Sequence, residues 1–143
     1  MSDIGKTPFY TIERAIEMYR QFAQRRLVAA GSSVTVDQWL VLNAIEAEPG
    51  IQQGTVAEMV FKDKASIARM IDLLVEAQLV TRTIPQEDRR SVSLALTKKG
   101  AKQLTLLAPV VKDYRSKALK GVSATEVAAL KVTLDKLISN CDE

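Results

Sequence analysis

The hydrophobic period of this chain changes twice, and that limits the fold more than any other feature. Up to residue 78 the apolar residues step by threes and fours, as on the buried face of a helix. Leu79-Val-Thr-Arg-Thr-Ile84 is instead short and rich in β-branched residues, and Ser91-Val-Ser-Leu-Ala-Leu96 alternates apolar with small or polar residues. Pro85-Gln-Glu-Asp-Arg-Arg90 between them is a polar turn, and beyond Thr97 the helical spacing returns. One β-hairpin with a charged tip, set inside an otherwise helical chain, is the expectation.

The helical parts are punctuated clearly. Phe9, Ile12, Ile16, Tyr19, Ala23 and Leu27 predict a long first helix, with Pro8 placed for its first turn and Gly31 for its stop. Thr35-Val-Asp-Gln38 has the capping-box form ahead of Trp39, Leu40, Leu42 and Ile45, so a second helix starts there and ends before Pro49-Gly50. A short helix from Gln52 or Gln53 runs through Val56, Ala57, Met59 and Val60 and breaks at Phe61-Lys62. Asp63 then caps a helix whose inward positions are Ile67, Met70, Ile71, Leu74 and Val75. Two short helices joined tightly make a helix-turn-helix. After the hairpin, Leu104, Leu107, Val111, Tyr114 and Ala118 form one stripe, and Ser123-Ala-Thr-Glu126 is a second capping box. Val127, Leu130, Leu134, Leu137 and Cys141 step 3, 4, 3, 4, the seam of a helix with a helical partner.

Composition narrows the function. At 143 residues and 47% apolar the chain suits one domain with a real core. No apolar run approaches the roughly 18 to 20 residues that span a bilayer, and the first residues lack the pattern of a secretory signal, so a cytoplasmic protein with no membrane association is expected. There is no histidine, which removes the commonest general base and metal ligand, and Cys141 is the single cysteine. With no glycine-rich phosphate loop and no recognisable carboxylate pair either, neither an enzyme nor a metal or other cofactor is expected. The net charge of +3 is concentrated in the middle, where residues 62–99 hold eight Lys/Arg against five Asp/Glu.

Within that middle, Pro49-Gly50-Ile51, Val56-Ala57-Glu58, Leu79-Val80-Thr81-Arg82, Glu87-Asp88-Arg89-Arg90 and Leu94-Ala95-Leu96-Thr97-Lys98-Lys99-Gly100 resemble the MarR family of bacterial transcription regulators. The Asp-Arg-Arg turn, short strand and Leu-Thr-x-x-Gly are the most specific part, and with the long terminal helices the resemblance covers nearly the whole chain. It implies a single domain over 1–143, mainly α with a small β-hairpin wing. A winged helix-turn-helix at 35–100 would bind DNA, and dimerisation helices at 8–30 and 101–141 would flank it. One residue departs from the family, which commonly has glycine where this chain has Gln78. Either Gln78 adopts the left-handed conformation, at about 1 kcal/mol relative to glycine, or the helix ends differently.

The residues suit that role physically. A helix entering the major groove reads bases from its N-terminal turn, so Lys64, Ala65, Ser66, Ala68 and Arg69 are the candidate DNA-reading residues. Lys64 would meet a phosphate, Ser66 a phosphate or a base edge, Ala65 or Ala68 a thymine methyl, and Arg69 guanine. At the hairpin tip Arg90 would enter a narrow minor groove and Arg89 would contact phosphate, with Asp88 bracing the wing arginine as the resemblance implies. Glu87 reads as solvated.

Phe9, Ile12, Val127, Leu130, Leu134 and Leu137 are the candidate dimer interface, with packing within the monomer as the alternative, since a pseudo-palindromic double-stranded operator needs two reading helices related by a two-fold axis. The resemblance further implies a repressor released by a small aromatic or phenolic effector. Tyr19, Phe22, Arg26 and Trp39 are of the right type to hold one, with core packing as the competing role for Trp39 and Phe22. The alternatives are a winged-helix module for protein contacts, and a regulator sensing oxidants through Cys141.

Overall fold

The computed structural model describes residues 3–87 and 91–143. A short 3-10 turn over Asp3–Lys6 leads into α1 (Pro8–Ala29), then α2 (Val36–Ala47), α3 (Gln53–Met59), α4 (Lys64–Glu76), β1 (Val80–Thr83), β2 (Ser93–Leu96), α5 (Lys98–Ala118) and α6 (Ala124–Cys141). This is a mainly α winged helix-turn-helix flanked by long helices. Both capping boxes form: the Thr35 hydroxyl accepts the Gln38 amide at 3.1 Å while Gln38 accepts the Thr35 N–H at 3.0 Å, and Ser123 and Glu126 do the same.

Three helices end alike. After α1, Gly31 N–H donates to Val28 O and Ser32 N–H to Leu27 O, the paired bonds of a Schellman stop, with Gly31 at φ 77°. The same pair closes α4 through Gln78 and Leu79, and α3 through Phe61 and Lys62. Gln78 (φ 63°) and Phe61 (φ 58°) therefore occupy the left-handed position usually given to glycine. Of the two alternatives at Gln78, the structure takes the left-handed turn.

The core gathers the C-terminal half of α1 (Ala23, Leu27), the inner faces of α2 and α4, and Leu104, Leu107, Val111 and Tyr114 of α5. β1 and β2 pair antiparallel with Val80 opposite Leu96 and Arg82 opposite Leu94. Beyond the expected hairpin, β2 has a second neighbour. Gly50 N–H donates to Leu94 O, Leu94 N–H to Ile51 O and Gln53 N–H to Val92 O, each at 2.9 Å. A single buried residue, Ile51, behind a left-handed Gly50 is too short to show a period of two.

The terminal elements are different. No residue of α6 is buried, and Phe9 and Ile16 on the first half of α1 are 59% and 51% exposed. Among the described residues no helix is long and apolar enough to cross a membrane.

Candidate nucleic-acid interface

The N-terminal turn of α4 is built by Asp63. One carboxylate oxygen accepts the Ser66 N–H at 2.8 Å and the other accepts the Ser66 hydroxyl at 2.7 Å. These two bonds hold the Asp63 carboxyl below its ordinary range. Ser66 in turn accepts from the Arg69 guanidinium at 3.5 Å, so Arg69 leans toward the start of the helix.

Behind this turn Ile67, Ile71 and Leu74 are fully buried. On the outer face Lys64, Ala65 and Arg69 are exposed, while Ser66 and Ala68 are half-buried at its margins. The five candidate residues thus share one turn and a half, with Ala65 and Arg69 at the centre of the exposed stripe. Asp72 and Glu76 continue that stripe, making the helix basic at its start and acidic toward its end. Neither acid lies in the N-terminal turn from which a reading helix contacts bases.

The C-terminal end of α4 is clasped by α5. The Thr97 hydroxyl donates to Gln78 O at 2.6 Å and accepts the Gly100 N–H at 2.9 Å, while Lys99 Nζ donates to Ala77 O at 3.0 Å. Gly100 lies against Leu79, where an added Cβ would sit 2.1 Å from the carbonyl oxygen. This gives the Leu-Thr-x-x-Gly pattern a physical reason: threonine caps α5 and grips α4, and only glycine fits the crossing. A further tie joins the hairpin to α4, where the Arg82 guanidinium is ion-paired with Asp72. The wing tip expectations, Asp88, Arg89 and Arg90, lie outside the described residues; Glu87 beside them is exposed.

Of the candidate interface residues between copies, Phe9, Val127 and Leu130 are exposed and Ile12, Leu134 and Leu137 half-exposed. Cys141 is exposed at the end of the same seam.

A cleft of about 270 Å³ opens between α1, α2, the α3–α4 turn and α5, lined by Tyr19, Arg20, Trp39, Phe61, Tyr114 and Arg115 among others. Arg115 lies 5.1 Å from the Trp39 ring centre, and Tyr19 meets Tyr114 edge-on with centroids 6.0 Å apart. Burial pushes the Tyr114 hydroxyl up. Of the four residues named for an effector, Tyr19 and Trp39 line this cleft and Phe22 and Arg26 do not. Arg26 is engaged with Asp113 at 3.0 Å and lies 6.0 Å from the Phe22 ring, one to two turns further along α1. The cations of the cleft are Arg20 and Arg115, which spacing within the first helix does not single out. Arg20 is ion-paired with Asp37, and Asp37 also holds Lys62 of the α3–α4 turn at 3.4 Å.

Comparison with known proteins agrees with this geometry. The MarR family model matches residues 32–91. A protein of unknown function from Listeria innocua is 30% identical, with 93% of this chain and 91% of that one covered and a TM-score of 0.69. A mutant MarR from E. coli complexed with operator DNA is 26% identical, covers 89% of this chain and 90% of its own, and has a TM-score of 0.79. The PcaV transcriptional regulator from Streptomyces coelicolor, in complex with its natural ligand, is 26% identical over 100% and 99% of the two chains with a TM-score of 0.80. A helix-turn-helix whose outer face is exposed, a hairpin tied to it, a threonine–glycine clasp and these likenesses over nearly the full chain have one reading: the chain belongs to the MarR family of DNA-binding winged helix-turn-helix transcriptional regulators.

Proposed function

We propose that this protein is a homodimeric repressor that binds a pseudo-palindromic operator, with α4 in the major groove and the wing in the flanking minor groove. The observation that carries the reading is the outer face of α4, where Lys64, Ala65 and Arg69 stand exposed on a turn fixed by Asp63 over a buried apolar floor. Lys64 and Ser66 meet phosphate, Ala65 and Ala68 offer methyl-sized contacts, and Arg69 reads guanine. In this reading Arg90 is assigned to the minor groove, Arg89 to phosphate and Asp88 to the support of Arg90. Operator DNA in the complex of the similar E. coli protein supports this role.

The unburied seam of α6 and the exposed first half of α1 support a dimer. Phe9, Ile12, Val127, Leu130, Leu134 and Leu137 would be covered by the second copy, setting the two reading helices about 34–36 Å apart, one turn of DNA. The aromatic cleft with Arg20 and Arg115 supports a small aromatic anion as the signal that releases DNA, with Tyr19 and Trp39 stacking on it. The similar Streptomyces regulator is known in complex with its natural ligand.

Selection of duplexes from a random pool by the purified protein tests the whole. The expected product is an inverted repeat with half-sites one helical turn apart, released by an aryl carboxylate such as benzoate. Retention of no duplex at low salt would refute the reading.

A further inference from the structure

Arg82 shares a strand face with Val80, which is buried, and lies opposite the buried Leu94, but its own position is exposed. Its side chain turns to α4, where its guanidinium is ion-paired with Asp72. Asp72 stands on the same exposed stripe as Arg69, three residues away, the separation at which opposite charges on a helix attract each other. A free Asp72 carboxylate would compete with DNA for the Arg69 guanidinium. In the structure Arg69 instead reaches back to Ser66, and Asp72 is held by Arg82.

We infer that Arg82 is a positioning residue for sequence readout: by occupying Asp72 it keeps Arg69 free for its base, and it fixes the root of the wing against α4. The inference rests on the DNA-reading role of Arg69 given above. It assigns Arg82 no phosphate of its own.

The probe is the duplex that the wild-type protein selects from a random pool, and the position read by Arg69 is the one that Arg69→Ala relaxes. Arg82→Gln should lower affinity for this duplex about tenfold and flatten discrimination at the Arg69 position, leaving the slope of log K against log salt unchanged. The Arg82→Gln/Asp72→Asn double variant should recover the discrimination, because the competing carboxylate is gone. Asp72→Asn alone should keep it. A merely structural Arg82 would lose affinity evenly at all positions, with the double variant no better than the single, and that result overturns the inference. So does a salt slope that falls by about 0.9 in Arg82→Gln, which marks a direct phosphate contact. If Arg69→Ala selects the wild-type sequence, Arg69 reads no base; the underlying role then fails, and this inference with it.

Discussion

Replacing Gly100 with alanine tests the clasp between α4 and α5. An alanine Cβ would lie 2.1 Å from the Leu79 carbonyl oxygen and 3.1 Å from its carbon, both backbone atoms that cannot swing aside. Real Cβ atoms essentially never approach below 3.0 Å, so α5 must retreat by 3.0 − 2.1, about 0.9 Å. That retreat stretches the Thr97 N–H to Leu79 O bond from 3.1 Å beyond hydrogen-bonding range, and it strains the Thr97 hydroxyl bond to Gln78 O. The lost backbone bond costs about 1 kcal/mol and the weakened hydroxyl bond at most about 1 kcal/mol more. Overpacking adds about 2 kcal/mol. Alanine regains at most about 1 kcal/mol of helix propensity. The net loss is about 3 kcal/mol, a fall in Tm of about 10 °C for a chain of this size.

Thermal unfolding followed by circular dichroism at matched protein concentration measures it. Gly54→Ala is the control, since nothing lies within 4 Å of its Cβ position and its φ is ordinary, and its Tm should hold or rise slightly. Operator affinity should fall in Gly100→Ala as well, because the displaced end of α4 carries the hairpin. A Gly100→Ala protein melting within about 2 °C of wild type would refute the argument that this glycine is fixed by the crossing.

Four further outcomes are expected. Lys64→Gln should weaken binding to all sequences alike and reduce the salt slope by about 0.9, whereas Arg69→Ala should cost about 1–3 kcal/mol at one base pair, both read by titration over a salt series. Hydrogen bonds lower the Asp63 carboxyl in the fold, so its stabilisation of α4 is complete above its ordinary value of 3.8 and is lost as pH falls through the lowered value. Asp63→Asn keeps a capping oxygen but cannot titrate, so chemical denaturation between pH 2 and 4 should show a shallower loss of stability than in wild type. Leu130→Asp with Leu134→Asp should give a monomer by sedimentation and abolish tight binding to the full inverted repeat. Trp39 is the single tryptophan, so benzoate should quench its fluorescence saturably and Arg115→Ala should weaken that titration; benzamide, of the same shape without charge, should bind far less.

How much of this the sequence carried depended on how local the determining interactions are. Thr35, Asp63 and Ser123 announced the starts of their helices because a cap is read by residues three positions away. The outer face of α4 followed from the same periodicity that placed Ile67, Ile71 and Leu74 inside. The third segment beside β2, the cleft cations and the Arg82–Asp72 pair did not follow, since each joins residues from separate elements. Phe22 and Arg26 illustrate the limit: they lie on the helix that lines the cleft, but further along it, where Arg26 pairs with Asp113 of α5 instead. The stops of α3 and α4 were legible in position, at Phe61-Lys62 and at Gln78, but not in their geometry. A left-handed phenylalanine or glutamine costs about 1 kcal/mol that the surrounding bonds must supply, and nothing in its identity marks the turn.

The clasp and the cleft lie on one rod. α5 runs unbroken from Thr97, Lys99 and Gly100, which hold the end of α4, to Tyr114 and Arg115, which line the cleft. Its 21 residues span about 31 Å. The other end of α4 is reached from the same cleft by a shorter route, through Arg20 and Asp37 to Lys62, one residue before the Asp63 cap. A ligand that drew Arg20 and Arg115 together would therefore act on both ends of α4 at once, through ion pairs at its start and through a packed crossing at its finish. These two routes differ in physics, because salt weakens the part-buried ion pairs to a degree but does not alter steric contact. Release of DNA by benzoate should then survive Asp37→Asn at reduced amplitude in low salt. In high salt the gap between the wild-type and variant amplitudes should narrow. An amplitude in Asp37→Asn equal to wild type at every salt concentration would place the whole coupling in the rod.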